Sequence, residues 1–306
     1  MNNLQNQLAT KEAVKSKFKG NKTARCRRVP KYPASAEREF TRVMNSYMKL
    51  LNESFKKHLP EVIKSYKKQL RGDSRFDNAN DLDNDIKREF MDISLELEQK
   101  IKDFGIREYI EKVGEATKNS SLREWKRAVK DTLGVDLLDD YYNGDFYAEQ
   151  IRRWVDENVV KIQSIHGSTL DDMHDIILKG YLEGKTTSRI QKDIQERYRV
   201  NRNKARMLAR DQVSTLNAQI TQLQQKDAGC DRYRWSTSKD SRVRDCHAEL
   251  DGKIISWDDP PEMWYETKSM GIVYTGRFCH PGEDYCCRCV AIPVFDIDTL
   301  SIPFKR

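Results

Sequence analysis

Cys279-His280-Pro281-Gly282-Glu283-Asp284-Tyr285-Cys286-Cys287-Arg288-Cys289 is the stretch that decides how the end of this chain folds. It holds four of the seven cysteines in eleven residues and begins at a Pro-Gly turn. A second piece, Arg244-Asp245-Cys246-His247-Ala248-Glu249-Leu250-Asp251-Gly252, lies about thirty residues upstream and ends at a glycine. A zinc ion takes four tetrahedral thiolate or imidazole ligands and can tie two such distant turns together. The expected ligands are His247, His280, Cys287 and Cys289, with Cys246, Cys279 and Cys286 as replacements. Neither piece contains the Cys-x-x-Cys pair of zinc knuckles, and Cys287-x-Cys289 is a closer spacing. The plainer alternative is that the cysteines are small buried hydrophobes and the histidines hydrogen-bonded core groups. An odd cysteine count, without an apolar leader in MNNLQNQLATKEAVKSKFKGNK, argues against a secreted disulfide framework and for a protein made in a cytoplasm.

The flanks of this cluster explain why a staple is needed. Helical periodicity stops at Gly229. Tyr233–Thr237, Lys253–Ile255 and Val290–Phe295 read as short strands, separated by long connections punctuated by Pro260, Pro261, Gly271, Gly276, Pro281 and Gly282. Such a loop-rich β unit buries little apolar surface by itself.

Upstream the chain reads as helical. Phe40, Val43, Met44, Tyr47, Leu50, Leu51, Phe55, Leu59 and Val62 form one apolar stripe after an N-cap at Ser35, and Ile86, Phe90, Ile93, Leu97, Ile101 and Phe104 form another beyond a polar loop at 71–80. Two long helices so connected should pack antiparallel. Capping boxes at Ser121/Glu124 and Ser188/Gln191 mark further helix starts. Residues 147–165, 170–182 and 202–226 also read as helical. The fold class is therefore α+β: a basic flexible arm over 1–32, a mostly helical body with long amphipathic helices over 33–200, and an α+β domain with the Cys/His cluster over 201–306.

Of the 306 residues, 34% are charged and 38% apolar, and no run of eighteen apolar residues could span a membrane. The net charge of +7 is concentrated in the arm, where nine Lys/Arg face one Glu, so the rest of the chain is close to neutral. Lys15, Lys17, Lys19, Lys22, Arg25, Arg27 and Arg28 form a candidate nucleic-acid contact, against the alternative of a merely solvated terminus. Neither GxxxxGK[ST] nor GxGxxG occurs, which argues against an ATP-driven motor. Adjacent Cys-His pairs point to opposite sides of an extended chain and do not form a catalytic dyad by themselves. A metal-dependent nuclease would draw on Asp240, Asp245, Glu249 or Asp251.

Four features together resemble the Mu F-like domain of phage head morphogenesis proteins across roughly 180–295. They are the helix Met207–Val213 to Asn217, then Tyr233–Thr237 with Ser241–Arg244, then His247-Ala248-Glu249-Leu250-Asp251-Gly252, and finally His280-Pro281 with Cys287-Arg288-Cys289. The stretch between His280-Pro281 and Cys287 is longer here than in many relatives, and Cys279 and Cys286 are additional. The resemblance implies a structural minor head (minor capsid) protein of a tailed bacteriophage and no catalytic residues. Its partners would be the portal protein and the inner capsid. It would act in procapsid assembly, lie in the virion head near the portal, and in some relatives contact DNA. Some relatives carry a toxin domain after this region; with eleven residues beyond the last strand, none is expected here. The alternatives are a zinc-stapled nucleic-acid-binding module acting apart from capsids and a metal-dependent nuclease.

Overall fold

The apolar stripes do become long helices. The computed structural model describes residues 2–18, 20–70, 79–137, 142 and 145–301. In chain order the elements are α1 (Asn2–Lys17), β1 (Thr23–Arg25), α2 (Ala34–Leu70), α3 (Ala79–Phe104), α4 (Ile106–Leu133), α5 (Asp145–Leu182), α6 (Thr187–Asp227), β2 (Arg232–Ser236), α7 (Asp245–Leu250), β3 (Ile254–Ser256), β4 (Glu262–Thr267), β5 (Gly271–Phe278) and β6 (Val290–Asp296). Among the described residues no helix is long and apolar enough to cross a membrane. The chain forms two compact units, one of Met1–Glu37, Val113–Trp154 and Arg210–Arg306, the other of Arg38–Lys112 and Val155–Ala209.

The second of these units is helical. Phe55 of α2 meets Phe90 of α3 edge-on, with ring centroids 5.8 Å apart. The polar edge of the pair runs in the antiparallel sense: Ser54 donates to Glu96 at 2.9 Å and His58 faces Glu89 at 3.4 Å. Each apolar side chain buried along such a seam stabilises it by about 1.5–3 kcal/mol relative to exposure. Tyr66 packs on Tyr181 and donates its hydroxyl to the Lys185 carbonyl at 2.8 Å, which fixes the turn between α5 and α6. His174 lies 2.7 Å from Asp83.

The first unit carries the sheets. A four-stranded antiparallel sheet has the order β1-β6-β2-β3, and β4 and β5 form a separate hairpin. In β6 Val290–Phe295 are all buried, as expected for a strand with neighbours on both edges and a helix over one face. Phe295 stacks on Trp125 of α4 at 5.7 Å, and Gln225 of α6 donates to the Ala291 carbonyl at 3.0 Å.

Several expectations are revised by this packing. The basic arm contains a helix, and Thr23–Arg25 pair with β6, burying Ala24 and Cys26. Ser121 and Glu124 are not a helix start: α4 runs through them, Ser121 donates to Gln224, and Glu124 accepts from the Lys31 backbone and Arg127. A local motif is overridden here by partners distant in sequence. α5 is continuous through Gly167, and α6 begins at Thr187, with Thr186 rather than Ser188 accepting the Arg189 N–H at 3.3 Å. The long connection around Gly271 is the β4–β5 hairpin. The loop expected at 71–80 lies, through residue 78, outside the described residues.

Candidate metal centre

The six-residue helix α7 presents His247, and the turn before β6 presents Cys287 and Cys289. Residues two apart in an extended segment point to the same side, so the Cys-x-Cys spacing turns both sulfurs toward one point. His247 Nδ1 lies 3.7 Å from Cys287 Sγ and 3.6 Å from Cys289 Sγ. All three donor atoms fall within 4.8 Å of one another, and all three residues are buried. The Cys289 backbone N–H donates to Cys287 Sγ at 3.3 Å, an interaction that favours the thiolate.

The loop carrying the cysteines is seated on α6. Asp211 accepts the Cys286 N–H at 2.8 Å, and Ser214 donates to the Cys287 carbonyl. Gly282 has φ +94°, and a side chain there would meet Ala218 Cβ at 3.2 Å and the Ser214 carbonyl at 3.2 Å, so only glycine lets the loop approach. α7 is anchored through Asp251, which accepts from the Thr237 N–H at 2.9 Å and the Thr237 hydroxyl at 3.0 Å.

Asp284 completes the arrangement. It is buried, and its Oδ2 stands 3.2 Å from His247 Nε2 and 3.0 Å from Arg244. Its Oδ1 takes Arg277 at 2.5 Å. A carboxylate on one imidazole nitrogen leaves the other facing the sulfurs, the usual outer partner of a metal-binding histidine. Burial alone would keep His247 neutral, but Asp284 and the Cys287 sulfur raise its pKa to about 9. Burial also opposes the charge on Asp284, yet His247, Arg244 and Arg277 bring its carboxyl down to about 2. Cys287 is brought down to about 5, chiefly by the hydrogen bond from Cys289, with His247 assisting against burial. Cys289 keeps its proton because it shares it with Cys287, and burial reinforces this. Burial pushes Cys230, Cys246, Cys279 and Cys286 upward. Only at the trio does the environment therefore favour a thiolate among these groups.

His280, expected as a fourth ligand, stands outside the trio. Its Nδ1 lies 3.0 Å from the Tyr233 hydroxyl, its ring packs on Trp257 with centroids 4.8 Å apart, and burial lowers its pKa. Cys246 and Cys279 belong with Tyr233, Trp235, Trp257 and Met263 in the apolar core beneath the centre. Asp240 pairs with Arg288. Sequence reasoning missed Asp284; the available signal was a carboxylate between Cys279 and Cys286, inside a cysteine-rich stretch that must enter a dry site.

The arm residues are spread over several environments. Lys15 lies 3.9 Å from Asp298, Lys17 donates to the Leu133 carbonyl at 3.3 Å, and Arg28 pairs with Asp131 at 3.1 Å and Glu124 at 3.5 Å. Lys22, Arg25 and Arg27 are exposed, and Lys19 lies outside the described residues.

Comparison with known proteins bears on the same region. Residues 171–292 match the family described as Phage Mu protein F like protein. An uncharacterized protein of Haemophilus influenzae is 33% identical over 168 residues, 55% of this chain and 34% of that protein. The minor head protein GP7 of Bacillus phage SPP1 is 30% identical over 136 residues, 42% of each. The matches thus span less than half the length of either relative. No solved structure matches. The trio and its outer carboxylate lie within 171–292, the segment that is similar to the family described as Phage Mu protein F like protein.

Proposed function

We propose that this chain is a structural minor head protein of a tailed bacteriophage, acting in procapsid assembly through the portal and the inner capsid and residing in the head near the portal. The observation that carries the reading is the similarity to a protein named as a minor head protein, together with the family match over 171–292, the segment that contains the buried trio. Co-expression with the portal protein of the same phage tests it. Co-elution of the two in one oligomeric species is expected; separate elution, with normal head assembly when this gene is deleted, overturns it.

The buried trio is proposed to hold zinc. Two cysteine sulfurs and an imidazole, which release their protons when they bind a metal, suit that ion better than the hard cations, and a carboxylate-backed histidine is the usual outer support. The role is a structural tie between α7 and the strand β6, with no catalytic step assigned. Metal-dependent DNA cleavage that disappears in His247→Ala would instead favour the nuclease reading.

The basic residues near the N-terminus are proposed to contact packaged DNA. Deleting 1–32 is the wrong test, because it removes β1 from the sheet. Exchanging the exposed Lys22, Arg25 and Arg27 for glutamine preserves the strand. Weaker DNA retention at low salt is expected, and unchanged retention removes the proposal.

A further inference from the structure

A cavity of about 170 Å³ opens beside the trio, and Arg210, Arg242, Arg244 and Arg288 line it together with the sulfur-bearing turn. Among the described residues no carboxylate lines it. The acids that pair with these arginines are not part of the lining: Glu37 holds Arg210 at 2.9 Å, Asp240 holds Arg242 at 3.4 Å and also Arg288, and Asp284 holds Arg244 at 3.0 Å. Each guanidinium has five N–H donors in a fixed fork, and these pairings occupy only part of them. The acids therefore aim the arginines more than they saturate them. Exposure is graded, from 23% for the Arg288 side chain to 64% for Arg242, so the cavity has a floor and an open mouth.

We propose that this cavity is a binding site for a phosphate group. Convergent, pre-oriented guanidiniums match the planar two-oxygen edges of phosphate, and all four basic positions are arginine, the side chain suited to that two-point grip. The space is several times that of a water molecule, about 30 Å³. The group can come from free phosphate or from a nucleic-acid backbone running past the mouth. The site is separate from the exposed basic residues near β1, and it requires neither the portal role nor an ion in the centre.

The test uses the full chain as isolated. Inorganic phosphate and, as control, acetate are titrated calorimetrically at physiological salt. A labelled single-stranded oligonucleotide is followed by fluorescence anisotropy. The Arg242→Gln variant serves as the probe, because Arg242 lies at the mouth and, among the described residues, its side chain pairs with Asp240. Phosphate should bind and acetate should not, and the variant should weaken phosphate about tenfold, the loss expected for one charge-assisted contact. If oligonucleotide binding falls in parallel, the group is a backbone phosphodiester; if it is unchanged, the ligand is free phosphate. Absence of phosphate binding to the unaltered chain, equal binding of acetate, or unchanged phosphate affinity in a variant that melts normally overturns the proposal. Should Arg242→Gln fail to fold, phosphate-dependent shifts of the arginine Nε resonances in the unaltered chain decide instead, with no shift counting against it.

Discussion

The helical unit and the β end solve the same problem by opposite means. Along α2 and α3, order comes from many similar contributions: Phe55, Phe90, Ile93 and Leu97 are each buried, and each removes a comparable apolar area from water. Around β2 and β6 the core is small and unusual in content. Cys246, Cys279, Cys287 and Cys289 share it with Tyr233, Trp235 and Trp257, and a charged group, Asp284, is buried beside them. The first region spreads its stability; the second concentrates it in a few groups that must all be satisfied.

The sharpest way to break the β end is to remove both sulfurs. Cys287→Ser with Cys289→Ser should reduce zinc from about one ion per chain to almost none and abolish cooperative melting of that unit, since structural zinc is coupled to folding. Elemental analysis and calorimetry check this; retained zinc would refute the assigned ligands. In the helical unit the comparable insult is Phe55→Ala, expected to cost about 3–5 kcal/mol in urea unfolding while leaving zinc content unchanged. Loss of zinc in that variant would mean the two regions do not differ as described. Asp284→Asn is more discriminating, because it keeps the shape. Metal affinity should fall about 10–100-fold in a competition titration with a chelator, the usual effect of losing an outer partner.

A pH series on metal-stripped protein probes the same groups. Cys287, lowered from 9.0 to about 5, adds stability as pH climbs from about 5 toward 9. His247, raised from 6.5 to about 9, has its full contribution below 6.5 and loses it as pH rises through about 9. The two oppose each other above 6.5, so the melting temperature should rise from pH 5 to 6.5 and then level off. A steady decline from 6.5 to 9 would show that Cys287 is not a thiolate. The smallest effect belongs to the helical surface. The Lys87–Asp83 pair, 2.6 Å apart with Lys87 largely exposed, should be worth about 0.2–1 kcal/mol, and Lys87→Ala should hardly move the urea midpoint.

What could be read in advance follows the same division. The stripes of α2 and α3 were legible because a single period of 3.6 places every apolar residue on one face. The strands β2, β3 and β6 were legible from β-branched and aromatic runs. The hairpin β4–β5 was obscured by Gly271 and Gly276, which read as loop although Ile272, Tyr274 and Phe278 alternate. The trio was half legible: residue types and the Cys-x-Cys spacing pointed to His247, Cys287 and Cys289. His280 was misleading because it shares its neighbourhood in sequence but turns to Tyr233 and Trp257. Which side of a loop faces a site depends on what the loop packs against. Here that was set by Asp211, Ser214 and Ala218 on α6, some seventy residues upstream.

The pairing of Ala24 with Phe295 also has a consequence for biosynthesis. One strand leaves the ribosome about 270 positions before its neighbour. At roughly 5–20 residues per second, this interval is on the order of tens of seconds. Through that time the early strand has an unsatisfied edge and must be kept from pairing elsewhere. The lysines and arginines flanking it, by mutual repulsion and hydration, suit that waiting role whether or not they later meet DNA.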